Sequence, residues 1–236
     1  MSIARAWAEY CSSLSYDELP PDVVEYTKDL LLDYLGVTYG GGYFSPSANT
    51  FIEGVQALEA CEWDGVDGAA TIVATGEPMN PGYAALLNGA LAHSLDFDDT
   101  EKGHPGSPVI SAALAAGERE DASGETLLAG IVAGYEVYCR LARAVNTETH
   151  YKRGFHPTAT CGLFGATAAA GAITGLTTTE IENAFGLNAS QASGTHGYIR
   201  YGGWNKRAHP GIAAHSALIS TSLAAAGFQG TPEPIE

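Results

Sequence analysis

The chain has 236 residues, is 45% apolar and carries a formal net charge of −16 from 27 acidic and 11 basic residues. That length is enough to bury a substantial core. The charge opposes encounter with nucleic acid or an anionic membrane, so neither is an expected partner, and a polyanionic substrate must meet locally concentrated cations. Lysine occurs only at Lys28, Lys102, Lys152 and Lys206. An acidic, lysine-poor surface suits solubility at high salt, a halophile-like trait; an ordinary acidic cytosolic protein has much the same composition.

Helical periodicity dominates the chain. Residues Ile3 to Ser13 make a short amphipathic helix, and a stronger one opens at Pro20-Pro21 and is expected to stop at Gly40-Gly41-Gly42. Ser45 to Ala60 suggests a third helix. Ala70 to Thr75 is the one strand-like run, and a lone strand makes no sheet, so a small hairpin or an extended connector is expected there. Further helices are predicted over Tyr83 to Leu95, Pro108 to Glu118 with Ser107 as N-cap, and Ser123 to Val145. Three more follow over Pro157 to Ile173, Thr177 to Ser193 with a Thr177/Glu180 capping box, and Pro210 to Ala226. The Ala, Gly and Ser content of the later helices lets backbones approach closely. The fold class is therefore all-α, one multi-helix domain over residues 1–236 with at most one short strand or hairpin.

Cys11, Cys61, Cys139 and Cys161 are widely spaced and mostly in apolar or helical surroundings, which reads as buried free thiols. Arg5, Glu9 and Asp17 interrupt the opening segment, so cytoplasmic residence is expected instead of secretion. Ala159 to Leu176 reaches membrane-span length, but its Ala, Gly and Thr content reads as a helix buried in protein.

The chemistry concentrates in His93-Ser94-Leu95-Asp96-Phe97-Asp98-Asp99-Thr100 and the His104-Pro105 that follows. The His-Pro pair recurs at His156-Pro157 and His209-Pro210. Proline disfavours helix for the residue before it and suits the first helical turn, so His156 and His209 are expected at helix entrances, where backbone N–H groups attract anions. If His104, His156 and His209 converge, they surround a carboxylate pocket with groups that titrate near neutrality. For any single one of them, capping a helix is the plainer role. Lys206 and Arg207 add cations beside His209, with bidentate geometry available from Arg207; the alternative is two solvated surface cations. Asp96, Asp98 and Asp99 offer a general base, a metal ligand or a solvated loop, and D-F-D-D lacks the alternation and glycine of a calcium loop, so no metal is expected.

These residues resemble the MmgE/PrpD family. Leu91 to Thr100, His104-Pro105-Gly106-Ser107-Pro108-Val109, Gly154-Phe155-His156-Pro157-Thr158-Ala159 and Lys206 to Ser216 match its motifs in the same order. The resemblance implies lyase-type chemistry on small di- or tricarboxylic acids with no metal or organic cofactor. Dehydration of 2-methylcitrate, in propionate metabolism, is the first expectation, with decarboxylation of cis-aconitate or an epimerisation as alternatives. It nominates Asp96, His104, His156 and Lys206 as catalytic and, with the cluster above, Thr100, Arg207 and His209 as substrate-binding. It also implies a homodimer and a pocket roofed by a smaller lid. By the same resemblance the chain corresponds to the N-terminal helical part. The lid and the returning helices are then expected on a separate C-terminal chain, or to be lost from a fragment or decayed frame. A truncated, non-catalytic helical protein that binds a carboxylate or a partner chain is the competing expectation.

Overall fold

The computed structural model describes residues 1–59 and 62–236. Its helices are α1 (Ile3–Ser13), α2 (Pro21–Phe44), α3 (Ala48–Gln56), α4 (Pro81–Ala92), α5 (Gly106–Arg119) and α6 (Gly124–Ala144). Beyond these lie α7 (Thr147–Lys152), α8 (Pro157–Ile173), α9 (Thr178–Gln191), α10 (Gly197–Tyr201) and α11 (Asn205–Ala225). A two-residue hairpin, β1 (Ala70–Thr71) with β2 (Pro78–Met79), pairs antiparallel with Ala70 opposite Met79. The all-α expectation holds, and Ala70 to Thr75 is the hairpin reading in its smallest form.

Local chemistry sets several boundaries where expected. Ser2 accepts from Arg5 N–H at the start of α1, Ser123 accepts from Thr126 N–H to cap α6, and Thr177 with Glu180 forms the capping box of α9. Pro157 begins α8 at the predicted residue. Three expectations fail for packing reasons. Helix α2 runs through Gly40-Gly41-Gly42 to Phe44. A Cβ at Gly41 would overlap the Leu91 backbone carbonyl of α4, so this glycine serves close approach and does not end the helix. Helix α5 starts at Gly106 with Pro105 as its cap, and Ser107 lies inside it. Helix α11 begins at Asn205, leaving Pro210 in its second turn. Ser45 to Ala60 is helical only over α3, and Ala60 and Cys61 lie outside the described residues.

The core centres on α8, buried along nearly its whole length and packed by α5, α6 and α11, while α4 lies between α5 and α11. Small residues make this possible: a Cβ on Gly211 would overlap the Leu86 carbonyl and stand 3.0 Å from Ala90 N. Around these crossings Leu87, Leu91, Ile110, Ile131, Tyr138, Leu163, Ile181 and Phe185 are fully buried. Cys11 and Cys161 are buried free thiols, with burial pushing both pKa values up to about 12, and Cys139 is half-buried. Among the described residues no helix is long and apolar enough to cross a membrane.

Two glycines of α2 make opposite predictions. Gly36 faces open space, so Gly36→Ala is expected to stabilise by about 0.5–1 kcal/mol through helix propensity. Gly41→Ala must push α2 off α4 and is expected to cost about 1–3 kcal/mol. Urea unfolding monitored by circular dichroism measures both; equal effects would show that α2 does not pack on α4 as described.

Candidate active site

The segment from His93 to Pro105 leaves α4 and turns back into α5, and two irregular residues shape it. Ser94 hydroxyl donates to Ala90 O and ends α4, and Asp96 takes a left-handed backbone with φ 61°. Asp is among the residues that tolerate this conformation. The reversal sends Asp98 inward and leaves Asp96 and Phe97 exposed.

Asp98 is the centre of the site. His93 Nδ1 donates to Asp98 Oδ2 at 2.8 Å, His104 Nδ1 stands 3.3 Å from Oδ1, and Ser107 hydroxyl donates to Oδ2. Burial alone would raise this carboxyl, but the two imidazoles outweigh it and hold it well below the usual carboxylate range. The imidazoles respond differently. Burial pushes His93 down, and it stays neutral despite Asp98; burial also works against charge on His104, but Asp98 and then Asp96 prevail and raise it. The resting site therefore holds an anionic Asp98, a neutral His93 and a His104 poised to be cationic.

On the outer side, His104 Nε2 lies 3.6 Å from Asp96 Oδ1, to which the Lys206 ammonium also donates. Burial would raise Asp96, and Lys206 brings it below its ordinary value. Deeper in, His156 caps α8 and is fully buried, its Nδ1 3.0 Å from His209 Nδ1. One of these nitrogens donates and the other accepts, so the tautomers of the two rings are linked. Burial depresses His156 to about 2 and His209 to about 4. His93 and His156 stack at 5.7 Å between ring centroids, and the Nε2 atoms of both are buried without a hydrogen-bond partner. A buried ring nitrogen left without a partner is uncommon and calls for an explanation.

The side chains of His93, Asp96, Asp98 and His104 offer donor atoms all within 4.8 Å of one another. Both Nδ1 atoms are engaged with Asp98, and the Lys206 ammonium donates to Asp96.

Asp96, His104, His156, Lys206 and His209 thus converge, as the sequence pattern anticipates. His209 arrives differently from expectation: it sits in the first turns of α11, not at its entrance, because the helix starts at Asn205 and carries Pro210 within it. Thr100 is exposed. Arg207 turns toward α3, donating to Ser47 Oγ at 2.9 Å and lying over the Trp204 ring. Neither is brought into the imidazole cluster. Sequence reasoning passed over Asp98 and His93 as central residues, although both stand in the same motif. It also passed over Tyr198, whose ring is 5.7 Å from those of both His156 and His209, and Tyr151, stacked on His196 at 4.6 Å. No spacing in the sequence signals these aromatics.

The pKa directions set a sign. His156 and His209 are depressed in the folded state, so their stabilising contribution is full above about pH 6.5 and is lost as pH falls below it, because the unfolded chain binds more protons there. His104 is raised, so its contribution is full below about pH 6.5 and fades as pH rises through its higher folded value. His209→Gln is expected to flatten the loss between pH 7 and pH 4 by on the order of 1–2 kcal/mol. Urea midpoints across that range measure it, and an unchanged slope would show that His209 is not held neutral.

The model of the MmgE/PrpD N-terminal domain matches residues 5–236. A protein named cis-aconitate decarboxylase from Aspergillus terreus is 30% identical over 97% of this chain and 47% of its own length. Those of Homo sapiens and Mus musculus are 29% and 28% identical over 100% of the chain and 48% of their own lengths. The chain spans about half the length of the curated relatives it matches.

Proposed function

Since this chain belongs to the MmgE/PrpD family, we propose that it carries the helical wall of a lyase site that moves a proton next to a carboxylate of a small di- or tricarboxylic acid. The observation that carries this reading is the imidazole cluster beside Asp98, in which His104 is disposed to be cationic and His93, His156 and His209 are held neutral, next to the Lys206 ammonium. In this proposal Lys206 exchanges Asp96 for a substrate carboxylate, a charge-assisted contact that keeps its strength in a partly dry site. His104 serves as the acid that delivers a proton, and its excess charge draws an anion in. The buried, unpartnered Nε2 of His156 receives or donates a proton according to the tautomer that His209 imposes. A dianionic substrate raises the pKa of every imidazole it approaches, which brings His156 toward a useful range on binding.

Within this class the names of the relatives favour cis-aconitate decarboxylation as the first reaction to test. The 2-methylcitrate dehydration expected from the motifs shares the same carbanion-like intermediate and serves as the comparison. Exposure of Asp96 and Phe97 leaves this face open, which supports a cover supplied by a further lid segment. A homodimer and cytoplasmic residence belong to the same proposal.

The assay offers cis-aconitate and 2-methylcitrate separately, and follows carbon dioxide release and the absorbance of a conjugated alkene. The chain is expected to release carbon dioxide, alone or joined to a lid. Lys206→Ala and His156→Ala are expected to lower turnover at least tens-fold, within the range of a positioned proton-transfer group. Normal rates in both variants would overturn the assignment. Thermal stabilisation by substrate without product would favour a binding protein instead.

A further inference from the structure

The turn from Asp99 to Gly106 presents His104, and it is fastened from outside the imidazole cluster. Asp99 Oδ1 accepts the Gly106 N–H at 2.9 Å, and Asp99 Oδ2 accepts the Tyr135 hydroxyl of α6 at 3.0 Å. The His104 N–H donates to Thr158 Oγ1 of α8 at 3.1 Å, and the Glu101 N–H closes the turn on Gly103 O at 2.9 Å. Both glycines sit against fixed walls. Gly103 has φ 139° and a Cβ there would meet Thr158 Oγ1 at 3.2 Å; a Cβ on Gly106 would overlap the Asp99 carboxylate and stand 2.9 Å from the Tyr135 hydroxyl. The backbone of the turn that carries His104 is therefore held on both sides, by Tyr138 and Thr158 at Gly103 and by Asp99 with Tyr135 at Gly106.

Asp99 itself is not among the groups that ring the pocket. Burial pushes its pKa up to about 6, against the opposing pull of Tyr135 and Gly106. An ionised carboxyl is a costly way to hold a backbone N–H, and a neutral amide would hold it at lower cost. What the carboxylate adds over an amide is a second acceptor oxygen, so that one side chain takes both the Gly106 N–H and the Tyr135 hydroxyl and ties the turn that carries His104 to α6.

We propose that Asp99 is a positioning residue for the reaction, fixing His104 against Asp98 by tying Gly106 to Tyr135. This inference rests on the reading of His104 as a proton donor, and its test separates the two. The groups facing Asp99 are Tyr135 and Cys139 from α6, Asp98 and His104; those facing His104 are Asp98, Asp96 and His93.

The experiment is an NMR titration of the histidine ring carbons in the full chain, run on the parent, Asp99→Ala, Asp99→Asn and Tyr135→Phe, with cis-aconitate turnover alongside. In the parent, His104 titrates above the ordinary histidine value. Asp99→Ala is expected to lower that midpoint by roughly one pH unit, with His209 unmoved, and to lower kcat about tenfold with little change in KM. Asp99→Asn keeps an oxygen for Gly106 and is expected to recover most of both, with Tyr135→Phe intermediate. A His104 midpoint unmoved in Asp99→Ala overturns the proposal. So does an Asp99→Asn variant indistinguishable from Asp99→Ala, which would assign the effect to charge alone. A shifted midpoint in a chain that turns over no cis-aconitate upholds the tether and overturns the functional reading instead.

Discussion

A single buried carboxylate, Asp98, decides the character of this molecule's polar centre. Placing an anion among closely packed helices is expensive unless charge and hydrogen bonds surround it. Here His93, His104 and Ser107 do so from the end of α4, the entry turn and the first turn of α5. Because three segments meet on one group, their relative placement is fixed by it. The same contacts sort the imidazoles by charge: against burial, Asp98 and Asp96 raise His104, whereas His156 and His209, lacking a carboxylate, are left neutral by burial.

The helical scaffold makes such density affordable. Small residues at the crossings of α2 with α4 and of α4 with α11 let those backbones come close, and His156 at the entrance of α8 meets His209 of α11 nitrogen to nitrogen. Larger residues at these crossings would add apolar contact and yet push the helices apart. The weak amphipathicity of α4, α8 and α11 follows from the same arrangement, since these helices have protein on most sides.

Much of this was legible in the chain. The caps at Ser123 and Thr177 and the start at Pro157 follow from local rules, and the repeated His-Pro pairs pointed to the three histidines without placing them together. What stayed hidden depends on partners distant in sequence. Gly41 reads as a helix stop until Leu91 is seen against it, and Ser107 reads as a cap until Asp98 claims its hydroxyl. Arg207 reads as a carboxylate clamp, yet Ser47 and Trp204 hold it elsewhere. Asp98 was one of three neighbouring aspartates, of which the motif resemblance singled out Asp96, and the left-handed turn at Asp96 sends that residue outward to Lys206 and Asp98 inward to the imidazoles.

That turn has a consequence for how the site tolerates sequence drift. A left-handed residue followed by a buried anion admits Asp, Asn or Gly with little backbone strain and penalises most others. Replacement of Asp96 by Asn or Gly would preserve the course of the chain while releasing Lys206 from its counter-ion. The position is thus one where charge balance is lost before architecture is, and descendants carrying such a change would keep the shape of the cluster with Lys206 unpaired from Asp96.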